Sequence, residues 1–144
     1  MATEIPIATS EILLLEQNPE DIAVIKEAVN HNNISIVPAC PDILAFLRRE
    51  KPFVSAPRPD LIMLDLELSR PEDCEMLTEI KKDRKFRRIP VVVLASSASY
   101  DDIFQAYDLH ANAYICKPRD RDEYVRVVKA ALHFWLTLAR LPRD

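Results

Sequence analysis

The sequence predicts an α/β fold in which one parallel sheet lies between two layers of helices. Five short apolar runs alternate with five longer amphipathic stretches along the 144 residues. Strands that are apolar at every position are typical of parallel sheets buried on both faces. Right-handed crossovers through the helices then give a doubly wound, three-layer sandwich. We expect a single domain over residues 1–144, with its core at about 11–138.

The elements follow one another without an internal repeat or a second domain. The predicted strands are residues 12–15, 34–37, 61–64, 91–94 and 113–116. The predicted helices are residues 19–30, 41–49, 71–83, a segment capped by Ser99 or Asp101, and 121–138. Asn18 followed by Pro19 is typical of a helix start. Three prolines between Glu50 and Pro59 indicate a surface loop.

Composition argues against several classes of protein. The net charge is −4, and we interpret the one basic run, residues 81–88, as the solvated end of a helix, so a nucleic-acid partner is not expected. The chain has no glycine, which excludes a phosphate-binding loop and a dinucleotide fingerprint. Positions with positive φ must therefore use Asn, Asp or strained residues.

Features of the whole chain predict a cytoplasmic protein. No apolar run has membrane-spanning length, and the start lacks a signal-peptide pattern. The three cysteines form no CxxC pair, so neither a disulfide framework nor a cysteine metal site is expected.

Polar residues follow the predicted strands directly, and these are the candidate site residues. In open parallel sheets, ligands bind beyond the carboxyl ends of the strands where the strand order reverses. Crowded carboxylates favour a cation between them, and Mg²⁺ suits oxygen ligands. A lysine opposite would pair with a carboxylate or with a phosphoryl group placed on it. In chain order, the residues at the strand ends are Glu16, Gln17, Asp65, Ala95, Ser96 and Lys117.

Four motifs together resemble the receiver domain of two-component response regulators. The motifs are Leu-Leu-Leu-Glu16-Gln17-Asn-Pro-Glu-Asp, Pro-Asp-Leu-Ile-Met-Leu-Asp65-Leu-Glu-Leu, Ile-Pro-Val-Val-Val-Leu-Ala95-Ser96 and Tyr114-Ile-Cys-Lys117-Pro118. The resemblance extends from Ile12 to about Trp135 and implies a flavodoxin-like (βα)5 fold with strand order 2-1-3-4-5. The loop at 50–59, the stretch 107–114 and the ending 134–136 resemble the small response regulators that partner cyanobacterial phytochromes.

The resemblance implies a role for five residues of this chain. Asp65 is expected to accept a phosphoryl group from a histidine kinase, and Lys117 to contact that group. Glu16 matches the first acid of the metal-binding pair, and Glu67 matches a residue whose backbone carbonyl binds Mg²⁺. Tyr114 matches the aromatic residue that changes rotamer on activation.

Three positions depart from the family pattern. Gln17 replaces the second metal-binding acid, Ala95 replaces a Ser or Thr hydroxyl that bonds the phosphoryl group, and Asp73-Cys74 replaces an Asp-Gly turn. We therefore expect weakened Mg²⁺ binding, or none, and weaker coupling of the phosphoryl group to the aromatic switch. The Glu67 side chain or an inward Ser96 could compensate; otherwise both face solvent.

Two functions stay open at this point. The first is a single-domain response regulator that accepts a phosphoryl group from a kinase, possibly of phytochrome type, and signals through protein contacts. The alternative is a degenerate pseudo-receiver that acts as a phosphorylation-independent adaptor. Neither is an enzyme beyond self-phosphorylation and dephosphorylation. Extra apolar residues at 134–138 predict a homodimer through the fourth and fifth helices and the fifth strand.

Overall fold

The computed structural model describes residues 9–142, and its elements follow the order that the sequence predicts. The strands are β1 (Glu11–Leu15), β2 (Asn33–Val37), β3 (Leu61–Asp65), β4 (Val91–Ala95) and β5 (Ala113–Cys116). The helices are α1 (Pro19–Ala28), α2 (Cys40–Leu47), α3 (Pro71–Lys82), α4 (Tyr100–Asp108) and α5 (Arg121–His133), followed by a π-helical turn at Phe134–Leu138.

The strands form one parallel sheet in the order β2-β1-β3-β4-β5, which confirms the predicted fold class. Leu15, at the end of β1, lies opposite Val37 of β2 and Leu64 of β3. Asp65, at the end of β3, lies opposite Leu94 of β4. The carboxyl ends of the central strands therefore meet at one edge of the sheet.

Alternate residues of each strand feed two separate cores. Leu13, Ile62 and Val93 pack with apolar residues of α2, α3 and α4 on one face. Their neighbours Leu14 and Met63 pack with α1 and α5 on the other face. Each fully buried aliphatic side chain contributes roughly 1.5–3 kcal/mol. These two layers hold the strand ends in fixed positions relative to one another.

Three helices end in a left-handed residue that is not glycine. Asn30, Arg49 and His110 have φ of 59°, 54° and 71°, and each lies two residues beyond the end of its helix. Glycine is the usual residue at this position because it has no Cβ. The prediction that other residues serve where φ is positive is thus confirmed, at a cost of about 1–2 kcal/mol for a residue with a Cβ.

The helix ends follow the sequence pattern with two exceptions. The Asn18 side chain caps α1 by accepting hydrogen bonds from the backbone N–H groups of Glu20 and Asp21. Ser99 occupies the N-cap position of α4, but its side chain makes no capping hydrogen bond. The prediction of one α-helix to residue 138 is wrong, because the last turn widens and the Ala139 N–H donates to the Phe134 carbonyl at 2.8 Å.

Lys81 departs from the interpretation of the basic run as a solvated helix end. Its ammonium donates to the carbonyls of Arg87 (3.2 Å) and Ile89 (2.8 Å) and to Oδ1 of Asn112 (2.7 Å). The same Asn112 oxygen accepts the N–H of Val91. Lys81 therefore ties the end of α3 to the entries of β4 and β5.

Within residues 9–142, no helix has the length and apolar character needed to cross a membrane.

Candidate functional site

Lys117 lies at the centre of the candidate site and contacts three carboxylates. Its Nζ lies 2.9 Å from Oε1 of Glu16, 2.8 Å from Oδ2 of Asp21 and 3.1 Å from Oδ1 of Asp65. The ammonium donates hydrogen bonds to Glu16 and Asp21 and forms an ion pair with Asp65. The Lys117 side chain is only 9% exposed. The structure thus brings together Glu16, Asp65 and Lys117, as the strand-end argument predicts, and adds Asp21.

The sheet fixes these side chains through their own backbone groups. The N–H of Glu16 donates to the Val37 carbonyl at the end of β2, and the N–H of Lys117 donates to the Ala95 carbonyl at the end of β4. Asp65 is the last residue of β3. Because the backbone at these strand ends is hydrogen-bonded to neighbouring strands, it cannot shift without breaking hydrogen bonds of the sheet.

Burial and charge shape the protonation of the pair Glu16 and Lys117. Burial, together with the neighbouring Asp65 carboxyl, raises the pKa of Glu16 to about 7. Burial alone would lower the pKa of Lys117, but its hydrogen bonds to Asp21 and Glu16 and the charge of Asp65 together raise that pKa. Lys117 therefore stays charged, and Glu16 is the carboxyl that takes up a proton near neutral pH.

The Gln17 side chain forms a hydrogen bond that joins two loops. Its Nε2 donates to the Pro38 carbonyl at 2.6 Å, and its backbone N–H donates to Oε2 of Glu16 at 3.1 Å. The amide side chain thus joins the loop after β1 to the loop after β2. It supplies no charge where the family pattern has its second acid.

A buried aspartate organises the loop that follows Asp65. Oδ2 of Asp73 accepts the backbone N–H of Glu67 at 2.8 Å, and its Oδ1 accepts the Sγ–H of Cys40 at 3.3 Å. Asp73 is 4% exposed. Burial and the Asp73 carboxylate raise the pKa of Cys40 to about 12, so this thiol is a donor and not a nucleophile. The Glu67 side chain itself is exposed.

The region around Ala95 contains the switch positions of the family pattern. Ala95 is buried and Ser96 is exposed. The hydroxyl of Tyr114 donates to the Ser97 carbonyl at 2.7 Å, and its backbone N–H donates to the hydroxyl of Tyr107 at 3.3 Å. The side chain of Tyr114 is thus tied to the backbone of the β4–α4 loop.

Sequence reasoning missed Asp21 and Asp73. Asp21 lies in the first turn of α1, where an acidic residue is usually explained by the helix dipole. Asp73 occupies the same kind of position in α3. The signal that could have found both is their place in the first turn of a helix that follows a site-forming strand.

The buried hydroxyl of Tyr124 has no hydrogen-bond partner among the described residues. The charges of Lys117, Asp21, Glu16 and Asp65 act on this hydroxyl.

The donor set at this edge suits a hard divalent cation. Among residues 9–142, no three Asp, Glu, His or Cys side chains are grouped closely enough to form a complete protein metal site. The carboxyls of Glu16 and Asp65 nevertheless lie 2.9 and 3.1 Å from the same ammonium, so they are close to each other. Mg²⁺ commonly binds through one or two carboxylates and keeps several waters. The residues present therefore fit such an ion.

The fold and the site define a receiver domain, and the chain belongs to that family. The family model described as the response regulator receiver domain matches residues 12–129. The protein is thus a receiver-domain response regulator of two-component signalling.

Its relatives include cyanobacterial phytochrome response regulators. Response regulator Rcp1 of Synechocystis sp. is 36% identical over 135 residues, covering 91% of this chain and 92% of Rcp1. The phosphorylated cyanobacterial phytochrome response regulator RcpA has a similar structure, with a TM-score of 0.88 and 43% identity over 94% of this chain and all of that one. The Mn²⁺-bound form of Rcp1 has a TM-score of 0.85 and 34% identity, covering 93% of this chain and 99% of that one. The resemblance to phytochrome-associated response regulators is confirmed.

Proposed function

We propose that the chain is a single-domain response regulator that accepts a phosphoryl group on Asp65 from a histidine kinase. The observation that carries the proposal is the pairing of Asp65 with Lys117 at 3.1 Å, where the Asp65 side chain is 35% exposed and the Lys117 side chain only 9%. The Asp65 carboxylate is thus accessible to a phosphoryl donor, while the Lys117 ammonium that pairs with it is largely buried. The similar structures of phosphorylated RcpA and of Mn²⁺-bound Rcp1 support the same chemistry.

The transfer needs few groups beyond those at the sheet edge. A carboxylate oxygen of Asp65 attacks the phosphorus of a phosphohistidine; the new P–O bond forms as the P–N bond to the imidazole breaks. Lys117 can exchange its bond to Asp65 for one to a phosphoryl oxygen and keep its bonds to Glu16 and Asp21. Glu16, Asp65 and the backbone carbonyl of Glu67 would hold a Mg²⁺ ion, which supplies charge neutralisation for the phosphoryl oxygens.

Ala95, in place of the Ser or Thr of the family pattern, weakens this chemistry without removing it. Ala95 cannot donate a hydroxyl to the phosphoryl group, which costs one hydrogen bond of about 1–3 kcal/mol. Ser96 and the Glu67 side chain are both exposed, so neither compensates in the conformation described. We expect transfer to Asp65 with reduced coupling between the phosphoryl group and Tyr114.

The proposed partners are a sensor histidine kinase of phytochrome type and a second copy of the chain. The resulting dimer would signal in the cytoplasm through protein contacts. The dimer rests on an aromatic stripe of α4, in which Tyr100, Phe104 and Tyr107 are 78%, 65% and 48% exposed. Phe134 and Leu138, beyond α5, are also exposed. Contiguous apolar surface of this kind marks an interface.

Sedimentation equilibrium tests the dimer. We expect the wild type to associate and Phe104→Glu to sediment as a monomer, because a charge in the stripe cannot be buried without a partner. Ala23→Glu, at an exposed position of α1 outside the predicted dimer face, adds the same single negative charge and is the control. A monomeric wild type contradicts the proposed dimer.

Beryllofluoride binding tests the phosphoacceptor. With Mg²⁺ present, we expect a saturable signal from bound beryllofluoride in fluorine NMR, accompanied by a change in the fluorescence of Trp135, the single tryptophan. Asp65→Asn should abolish both signals, because its amide cannot complete the acyl-phosphate mimic. No bound fluorine signal in the wild type at millimolar Mg²⁺ would favour the adaptor function instead.

A further inference from the structure

We infer that Asp21 is a positioning residue that supplies the negative charge missing at Gln17 and holds Lys117 in place; this inference rests on the proposed function. Asp21 Oδ2 lies 2.8 Å from Lys117 Nζ, the shortest of the three carboxylate contacts of that ammonium. Asp21 comes from α1, whereas the family pattern places its second acid in the loop after β1.

The charge count of the site supports this assignment. Glu16, Asp21 and Asp65 carry three negative charges when ionised, and Lys117 carries one positive charge. The remaining charge of −2 equals that of the family pattern, in which two loop acids and the acceptor surround one lysine. Without Asp21 the charge would be −1, and a divalent cation would leave the site with a net positive charge.

Asp21 also reduces the competition between Lys117 and a cation for Glu16 and Asp65. An ammonium bonded only to Glu16 and Asp65 would neutralise the two carboxylates that a metal needs. Because Asp21 accepts one of the N–H donors of the ammonium, Lys117 does not give all of them to Glu16 and Asp65, and the Asp65 side chain stays 35% exposed. The Asp65 carboxylate therefore remains accessible to a cation and to a phosphoryl donor.

The Asp21 contact is independent of the cap of α1. The cap uses the backbone N–H of Asp21, which donates to Oδ1 of Asn18 at 3.2 Å, and leaves the carboxylate free for Lys117. Asp21→Asn therefore removes one charge while the capping hydrogen bond remains. The exposed neighbour Glu20 lies in the same helical turn. Glu20→Gln therefore removes an equal charge near the N-terminus of α1 and leaves the contacts of Lys117 unchanged.

Direct Mn²⁺ binding, followed by the electron paramagnetic resonance of the free ion, tests the inference on the full chain. We expect Asp21→Asn to raise the Kd about tenfold and Glu20→Gln to change it less than about twofold. Gln17→Asp added to Asp21→Asn should bring the Kd back to within about threefold of the wild type, because the charge returns to the family position. A lost structural contact would not be rescued in this way.

Three results would overturn the inference: equal Kd values for the two single variants, failure of Gln17→Asp to restore binding, or no Mn²⁺ binding by the wild type. Circular dichroism of each variant checks that the fold is intact. The beryllofluoride experiment with Asp65→Asn decides the proposed function separately, since a regulator can accept a phosphoryl group whether or not Asp21 tunes its metal affinity.

Discussion

Replacing Lys117 by methionine removes the cation shared by three carboxylates, and its cost follows from their burial. The Glu16 side chain is fully buried, whereas those of Asp21 and Asp65 are 26% and 35% exposed. Breaking a buried ion pair costs about 3–5 kcal/mol, while partly exposed carboxylates regain water. Because Glu16 can take up a proton, we expect a loss of about 2–3 kcal/mol in the free energy of unfolding at neutral pH.

Urea unfolding followed by circular dichroism measures this loss. Lys129→Met, the same substitution at an exposed position of α5, should change the free energy of unfolding by less than about 0.5 kcal/mol. The cost of Lys117→Met should shrink toward about pH 5, because protonation of Glu16 relieves its repulsion with the neighbouring carboxylates. Equal effects of the two variants, or a cost that grows as the pH falls, would refute the reasoning.

Three further predictions concern the same fold. The pKa of Glu16 is about 7 in the folded chain and near 4.5 in its ordinary state, so between these pH values the folded chain holds one more proton than the unfolded chain. The free energy of unfolding of the wild type should therefore fall relative to that of Glu16→Gln as the pH rises from about 5 to 7. Urea-unfolding profiles that run parallel over this pH range would contradict this. His110→Gly should raise the free energy of unfolding by about 1 kcal/mol, because it relieves a left-handed residue with a Cβ, and an unchanged thermal midpoint would contradict this. Lys81→Met should lower the free energy of unfolding by about 1–3 kcal/mol, since two carbonyls and Asn112 lose their donor, whereas Lys82→Met should leave it nearly unchanged in the same assay.

The fold could be predicted from sequence because both faces of its strands are buried. A run such as 91–94, apolar at every position, has few alternatives to a central parallel strand, and the structure buries all four residues. The strand ends then follow, and with them the meeting of Glu16, Asp65 and Lys117. The cap at Asn18 can also be predicted from sequence, because its side chain bonds to backbone N–H groups close to it in the chain.

Contacts that depend on the packing of two helices could not be predicted in the same way. Whether Asp21 faces solvent or Lys117 depends on how α1 is rotated about its axis where it packs on the sheet, and the helical pattern does not fix that rotation to within one residue. The bond from Gln17 to Pro38 depends on the shape of two loops. The π-helical turn at Phe134–Leu138 was missed because its apolar residues suit an α-helix equally well.

Chemical trapping tests directly whether Asp65 receives the phosphoryl group. The chain is incubated with acetyl phosphate and Mg²⁺, the acyl phosphate is reduced with borohydride, and peptide mass spectrometry locates the product. We expect homoserine at position 65, and none in a sample treated with borohydride alone. An unmodified Asp65, or reduction in its place at Asp21 (to homoserine) or at Glu16 (to 5-hydroxynorvaline), would contradict the claim.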